Sequence, residues 1–318
     1  MRVVVALGGN ALLERGERPD AVIQRRHVRQ ATAALAPLAA DHQLVLCHGN
    51  GPQVGVLALE SEADKSLSQP YPLDVLVAQT QGMIGYWLVQ ELRNAGVDQR
   101  MVCVISQTVV DPSDPAFGHP SKFIGASYDQ AEAQALAARL GWAIAADGPR
   151  WRRVVASPRP LGLVEIETVR SLVDSGALVI CGGGGGVPVV RSSAGELTGV
   201  EAVVDKDLTA AELAITLKAD HLLVLTDVPA IIRGYGTPDA RPIHAIDTDA
   251  LSAMTFPAGS MGPKVEACIR FVSTSGQSAA IGALNDAADI MAGRAGTTIT
   301  PGGSPAISHS AISTADRA

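Results

Sequence analysis

Six short runs of Val, Ile and Leu, at residues 3–7, 44–47, 102–105, 177–181, 222–226 and 279–281, show no polar alternation. A strand with one wet face alternates, so runs of this kind are expected to be covered on both faces. Between them the apolar positions recur with helical spacing, most clearly over 22–40, 74–95, 128–140, 166–175, 209–219 and 262–275. Alternating strands and helices predict βαβ units, and with them an α/β fold: a three-layer αβα sandwich around a mostly parallel central sheet.

Glycine then marks the ends of three of the strands. Run 3–7 leads into Gly8-Gly9-Asn10, run 44–47 into His48-Gly49-Asn50-Gly51-Pro52, and run 177–181 into five glycines from Gly182 to Gly186. In a parallel sheet these carboxyl ends share one edge, where open α/β folds bind ligands. Backbone without β-carbons lets N–H groups come close to an anion, and a helix starting after the loop adds its positive end. Three such loops predict a cradle for phosphate or carboxylate. The GxxxxGK[ST] and GxGxxG fingerprints are both absent, as are the HRD and DFG elements of protein kinases. His48, at a strand end beside a glycine loop, reads either as a phosphate donor or as a hydrogen bond internal to the loop.

Residues 111–160 break the rhythm. Six prolines, one helical pattern and little strand pattern over this length describe an excursion from the main sheet, a protruding lobe. Lys122 lies inside it and would reach a site only as the lobe closes.

Composition narrows the function. The chain has 318 residues, 47% of them hydrophobic, a net charge of −7 and a pI near 5.5. No nucleic-acid surface is expected from such a balance. Neither a signal peptide nor a membrane helix is legible, so the expected location is the cytoplasm. The four cysteines are scattered, without disulfide or metal spacing, and no resident metal is expected. Basic residues are more telling: there are twenty arginines but only five lysines. Arginine keeps a surface wet equally well, so lysine is expected where a compact ammonium is wanted, beside phosphate above all. Lys122, Lys206 in Val-Val-Asp-Lys-Asp and Lys264 in Gly-Ser-Met-Gly-Pro-Lys stand out, while Lys65 and Lys218 read as ordinary surface charges. A cation at position 264, in the first turn of a helix, opposes the helix dipole and so points to an external anion.

Taken in order, Gly8-Gly9-Asn10-Ala11-Leu12, His48-Gly49-Asn50-Gly51-Pro52-Gln53, the segment from Asp114 to Lys122, Trp151-Arg152-Arg153, the glycine run after Cys181, Gly199 to Asp207 and Ser260-Met261-Gly262-Pro263-Lys264 resemble the carbamate kinases, which have the amino-acid kinase fold. The likeness is collinear over about residues 1–300. It implies reversible phosphoryl transfer, ATP plus carbamate giving ADP plus carbamoyl phosphate, with Mg2+ accompanying the nucleotide and a homodimer as the assembly. It implies that Gly8, Gly9, Asn10, Gly49, Asn50 and Gly51 hold carbamate and the moving phosphoryl group. Lys122 would reach in from the lobe to the same anion, and Lys206 and Lys264 would neutralise the nucleotide phosphates and the transition-state charge, with Asp207 orienting these lysines rather than acting as a general base. Thr226, Asp227, Tyr235, Met261 and Gly262 would bind nucleotide.

The implied division is a carbamate and phosphoryl lobe over 1–205 with the insertion at about 111–160, a nucleotide lobe over 206–300, and a disordered tail over 301–318. Two departures stand out. Pro229-Ala230-Ile231-Ile232 replaces the family's usual Asp-Gly-Val-Tyr, removing an aromatic from the base contact, and Phe123 follows Lys122 where proline is usual. The alternatives are a kinase of the same fold for another small carboxylate, such as an acylated amino acid, and a nucleotide-binding regulator without catalysis.

Overall fold

The computed structural model describes residues 1–14, 16–256 and 260–303; the side chain of Asn10 and the tail from Ser304 onward lie outside the described residues. The eight strands of the main sheet, labelled in chain order, are β1 (Arg2–Leu7), β2 (Gln43–His48), β3 (Met101–Cys103), β4 (Leu178–Ile180), β5 (His221–Thr226), β6 (Ala245–Asp247), β7 (Ser278–Ala283) and β8 (Thr297–Thr300). They lie in the order β6-β8-β7-β5-β1-β2-β4-β3. All neighbours are parallel except β7 with β8, so β6 and β8 run against the other six.

Helices α1 (Ala21–Asp41), α2 (Gly51–Ala63), α3 (Leu73–Asn94), α4 (Gln130–Leu140), α5 (Ile166–Asp174), α6 (Lys206–Thr216), α7 (Thr248–Ser252), α8 (Met261–Ser275) and α9 (Ala287–Met291) complete the main elements. Successive strand residues point to opposite faces. Val3, Val5 and Leu7 of β1 pack with α1, α3 and α9, while Val4 and Ala6 pack with α5, α6 and α8. Both faces of β1 are therefore dry. That is the physical reason its sequence does not alternate.

All six expected strands and six expected helices are present, with shifted ends. α6 begins at Lys206 rather than 209, because Asp205 caps it by accepting hydrogen bonds from the backbone N–H groups of Asp207 and Leu208. Strands β6 and β8, three residues and four residues long, gave no run long enough to read. α2 also lay outside the helical pattern, since its sequence mixes glycine, proline and apolar residues around the whole helix.

The segment 111–160 differs most from expectation. Instead of one helix with little strand, it holds a three-stranded antiparallel sheet of Lys122–Tyr128, Arg150–Val155 and Ala143–Asp147, with α4 against it. A four-stranded sheet, Leu197–Gly199, Val187–Arg191, Gln107–Val110 and Pro160–Leu163, stands at its base. A third apolar cluster joins these parts, with Val54 and Ala58 of α2 meeting Leu76 and Val77 of α3, Ile124, Val155 and Val203.

The three-stranded sheet approaches α2 through two glycines. A β-carbon on Gly55 would lie 2.0 Å from Gly125 Cα, and Gly125 has φ +70°. Backbone meets backbone here, and no side chain can yield. Gly55→Ala is expected to cost about 1–3 kcal/mol, the usual price of overpacking. Gly82→Ala, in α3 with nothing within 4 Å of its β-carbon, is expected to gain about 0.5–1 kcal/mol. Denaturant melts of the two variants should shift in opposite directions; equal shifts would show that the Gly55–Gly125 approach is not tight in solution.

Candidate functional site

The parallel register places the glycine loops side by side. Leu7 pairs with His48 and with Leu225, and Leu46 with Ile180, so the strands end nearly level. Each loop starts by continuing the ladder: Gly8 N–H donates to Leu225 O at 2.9 Å and Gly49 N–H to Leu7 O at 3.0 Å.

The loops then touch. A β-carbon on Gly49 would fall 2.9 Å from Gly9 N, and one on Gly184 would fall 2.1 Å from Asn50 Nδ2. Gly182, Gly184, Gly185 and Gly186 all have positive φ, between 64° and 89°, which L side chains rarely adopt. Ser106, Thr108 and Thr209 pin this run: Ser106 Oγ accepts from Gly182 N–H at 2.7 Å, and the Thr108 and Thr209 hydroxyls donate to Gly185 O at 2.7 and 2.9 Å. Asn50, buried, immediately precedes α2 and donates from Nδ2 to Thr80 Oγ1 at 2.8 Å.

Three lysines come to this edge from three places. Lys206 is the first residue of α6 and its stem lies against the Gly49 loop, with Cδ 3.4 Å from where a Gly49 β-carbon would be. Its ammonium donates to Asp207 Oδ1 at 2.5 Å. Lys264, in the first turn of α8, donates to the other oxygen of the same carboxylate at 3.0 Å. Lys122, on the first strand of the three-stranded sheet, is paired with Asp205 Oδ2. Two carboxylates within one helical turn therefore organise three ammonium groups.

The charges behave as buried ones do. Burial alone would raise the Asp207 carboxyl, but Lys206 and Lys264 overcome it and hold the group well below the ordinary carboxylate range. Burial lowers Lys206 despite Asp207, whereas for Lys264 burial is outweighed by Asp207, with Asp205 and Asp227 adding, and its pKa rises. Asp207 is thus an anion at any physiological pH and no proton acceptor. His48 donates from Nδ1 to Gly49 O at 3.0 Å, and burial lowers its pKa to about 4. It is a neutral brace within the loop. Burial raises the Cys47 thiol to about 12, which removes it as a nucleophile.

The remaining expected residues divide. Thr226 ends β5 beside Gly8, and its hydroxyl donates to Asp227 Oδ1 at 3.0 Å; Asp227 is close enough to Lys264 to raise it. Met261 and Gly262 open α8 and carry Lys264. Tyr235 is set apart, 76% exposed in the loop joining strands Ile231–Arg233 and Arg241–Ile243. A hollow of about 350 Å³ at the base of the three-stranded sheet, lined by Pro112, Phe117, Val190, Val200 and Glu201, includes none of the three lysines.

Sequence reasoning assigned no role to Asp205, Thr80, Ser106, Thr108 or Thr209. Asp205 had a legible signal as a helix cap, but its pairing with a lysine 83 residues away had none. Among the described residues no group of three His, Cys, Asp or Glu side chains is placed to hold a metal. The arrangement can bind a compact polyanion between ammonium groups and backbone N–H donors, and stabilise charge that moves across it.

A family model described as the amino acid kinase family matches residues 1–283. The carbamate kinase of Rhizobium meliloti is 49% identical over 303 residues, covering 94% of this chain and 93% of its own. That of Haemophilus influenzae is 48% identical over 301 residues, covering 94% and 97%. Among solved structures, carbamate kinase from Giardia lamblia bound to citric acid superposes with a TM-score of 0.89 at 40% identity, covering 94% of this chain and 98% of that one. The Giardia lamblia enzyme bound to AMP-PNP gives 0.84.

Asp207→Asn leaves the buried Lys206 ammonium and the partly buried Lys264 ammonium without their shared counter-ion and is expected to lose about 3 kcal/mol of stability at neutral pH. Because the folded pKa of Asp207 is depressed, its contribution is complete above the unfolded carboxylate value of about 4 and is lost as pH falls toward the folded one. The gap between wild type and variant in unfolding free energy should therefore close below about pH 4. A gap unchanged between about pH 7 and pH 2 would show that the ionised carboxylate is not its source.

Proposed function

The chain belongs to the amino acid kinase family, and within it we infer that it is a carbamate kinase, transferring a phosphoryl group reversibly between ATP and carbamate, with ADP and carbamoyl phosphate as products. One observation carries the reading. Lys122, Lys206 and Lys264 arrive from separate segments at one glycine-lined edge, held there by Asp205 and Asp207.

The reaction brings anions together, and each like-charge contact at about 4 Å costs about 1–4 kcal/mol at surface-like dielectric. Phosphoryl transfer asks little covalent help of a protein, so positioning and charge neutralisation dominate. Gly8, Gly9 and Asn10 with Gly49, Asn50 and Gly51 hold carbamate and the phosphoryl group through backbone N–H donors. Lys206 and Lys122 face the transferring group, and Lys264 serves the nucleotide phosphates from the start of α8. Asp207 orients Lys206 and Lys264; it is not a general base, and carbamate, already an anion, needs none.

Thr226, Asp227, Met261 and Gly262 border the nucleotide, with Tyr235 the outermost candidate. Mg2+ fits as the nucleotide's own companion: both oxygens of Asp207 are committed to lysines, so its ligands would come mainly from phosphates. Bound there, it would neutralise phosphate charge. We read the protein further as a cytoplasmic homodimer. Among the described residues no helix is long and apolar enough to cross a membrane. Tyr86 on α3 and Ile105 just past the edge strand β3 are exposed, an apolar edge suited to a second copy.

Purified protein mixed with carbamoyl phosphate, ADP and Mg2+ is expected to form ATP, and Lys264→Ala to abolish it. No ATP above the Lys264→Ala control would sink the reading. In sedimentation the active protein is expected at twice the chain mass, and an active species at the monomer mass of 32.8 kDa would remove the dimer.

A further inference from the structure

Asp205 uses its two carboxylate oxygens for different things. Oδ1 accepts from the N–H groups of Asp207 at 2.8 Å and Leu208 at 3.4 Å, capping α6. Oδ2 accepts from the ammonium of Lys122. The residue is only 6% exposed. A single buried carboxylate therefore ties the sheet that carries Lys122 to the helical turn that carries Lys206 and Asp207.

Capping does not explain the charge, since Ser or Asn caps a helix as well as Asp does. A carboxylate here is the costlier choice: burial and the neighbouring Asp207 both disfavour its ionised form, and Lys122 and Lys206 are needed to overcome them. Arg159, at the far end of the same insertion, pairs with Glu266 on α8, but those side chains are 63% and 43% exposed, where an ion pair contributes little. Of these two links, the buried one ends on a lysine of the site.

We propose that Asp205 is a positioning residue for phosphoryl transfer: it fixes the Lys122 ammonium beside the α6 turn, so that the cation carried by the insertion and the cation carried by α6 face the same anion. The proposal rests on the carbamate kinase reading. It separates the work of the two carboxylates, Asp207 serving Lys206 and Lys264 while Asp205 serves Lys122.

The test is steady-state ATP formation from carbamoyl phosphate and Mg-ADP by the full chain, for wild type, Asp205→Asn, Lys122→Ala and the double variant. Asp205→Asn keeps a cap acceptor, so its melting temperature should stay near wild type. Its kcat should fall about tenfold or more, with the KM for ADP changed less than about twofold. On the Lys122→Ala background the same substitution should cost nothing further. Asp205→Ser, neutral but still a cap, should repeat the result and stands in if the Asn variant does not fold. Equal losses with and without Lys122 would assign Asp205 a merely structural role and overturn the proposal, as would a full kcat in both neutral variants. A wild-type protein that makes no ATP would instead fail the functional reading itself.

Discussion

The Asp207 carboxylate, shared between two ammonium groups, is the interaction around which the rest of the site is arranged. A buried ion costs several kcal/mol unless it is paired and hydrogen-bonded. Lys206, Asp205 and Asp207 are all less than 9% exposed, and they can stay charged only because each has an opposite charge within reach. The pairing sets the geometry. Asp207 must sit in the first turn of α6 to face Lys264 across from α8, and Asp205 must precede it to cap the helix. With Lys122 the group holds three cations and two carboxylates, with Asp227 near Lys264, at an edge where backbone N–H groups are further donors. Ammonium groups and N–H donors at one edge suit a compact anion.

The glycines follow from the same constraint. To bring N–H donors from three loops to one anion, the loops must approach one another at backbone distance. The clash of a Gly184 β-carbon with Asn50 and of a Gly49 β-carbon with Gly9 shows how little room remains. The positive φ values along 182–186 cost other residues more than glycine, and the hydroxyls of Thr108 and Thr209 hold the run in that shape. Conformational freedom is removed before any ligand arrives, which lets the donors act without reorganising.

What could be read from the chain alone divides along the range of the interaction. Strands buried on both faces, the glycine loops at their ends and the lysines set apart from twenty arginines are local patterns, and all were legible. β6 and β8 were not, because three or four residues carry no periodicity. Neither were the strands within 111–160: Lys122–Tyr128 bends through the bulge at Gly125, and its partner carries Arg152 and Arg153 stacked over Phe123 and Trp142, so that strand does not read as apolar. Lys122 could be picked out as unusual, but its partner Asp205 is chosen by topology. No spacing rule joins residues 83 apart.

The altered segment Pro229-Ala230-Ile231-Ile232 shows how a departure at the level of motif becomes a change of role. Ala230 and Ile231 are 3% and 0% exposed, and Ile231 N–H donates to Thr297 Oγ1 at 2.8 Å, so these residues are spent on packing and on joining the short hairpin to β8. They are not free to meet a purine. Within 227–247 the only Phe, Tyr or Trp is Tyr235, and it stands in the hairpin loop, 76% exposed. An aromatic at that position loses little by being covered and gains apolar burial if a base lies beneath it. On the reading proposed above, the phosphates would meet a prepaired set of charges, whereas the base would meet Tyr235, a side chain 76% exposed on the hairpin loop. On that reading the charges would select the ligand, and the hairpin would add apolar burial to its affinity.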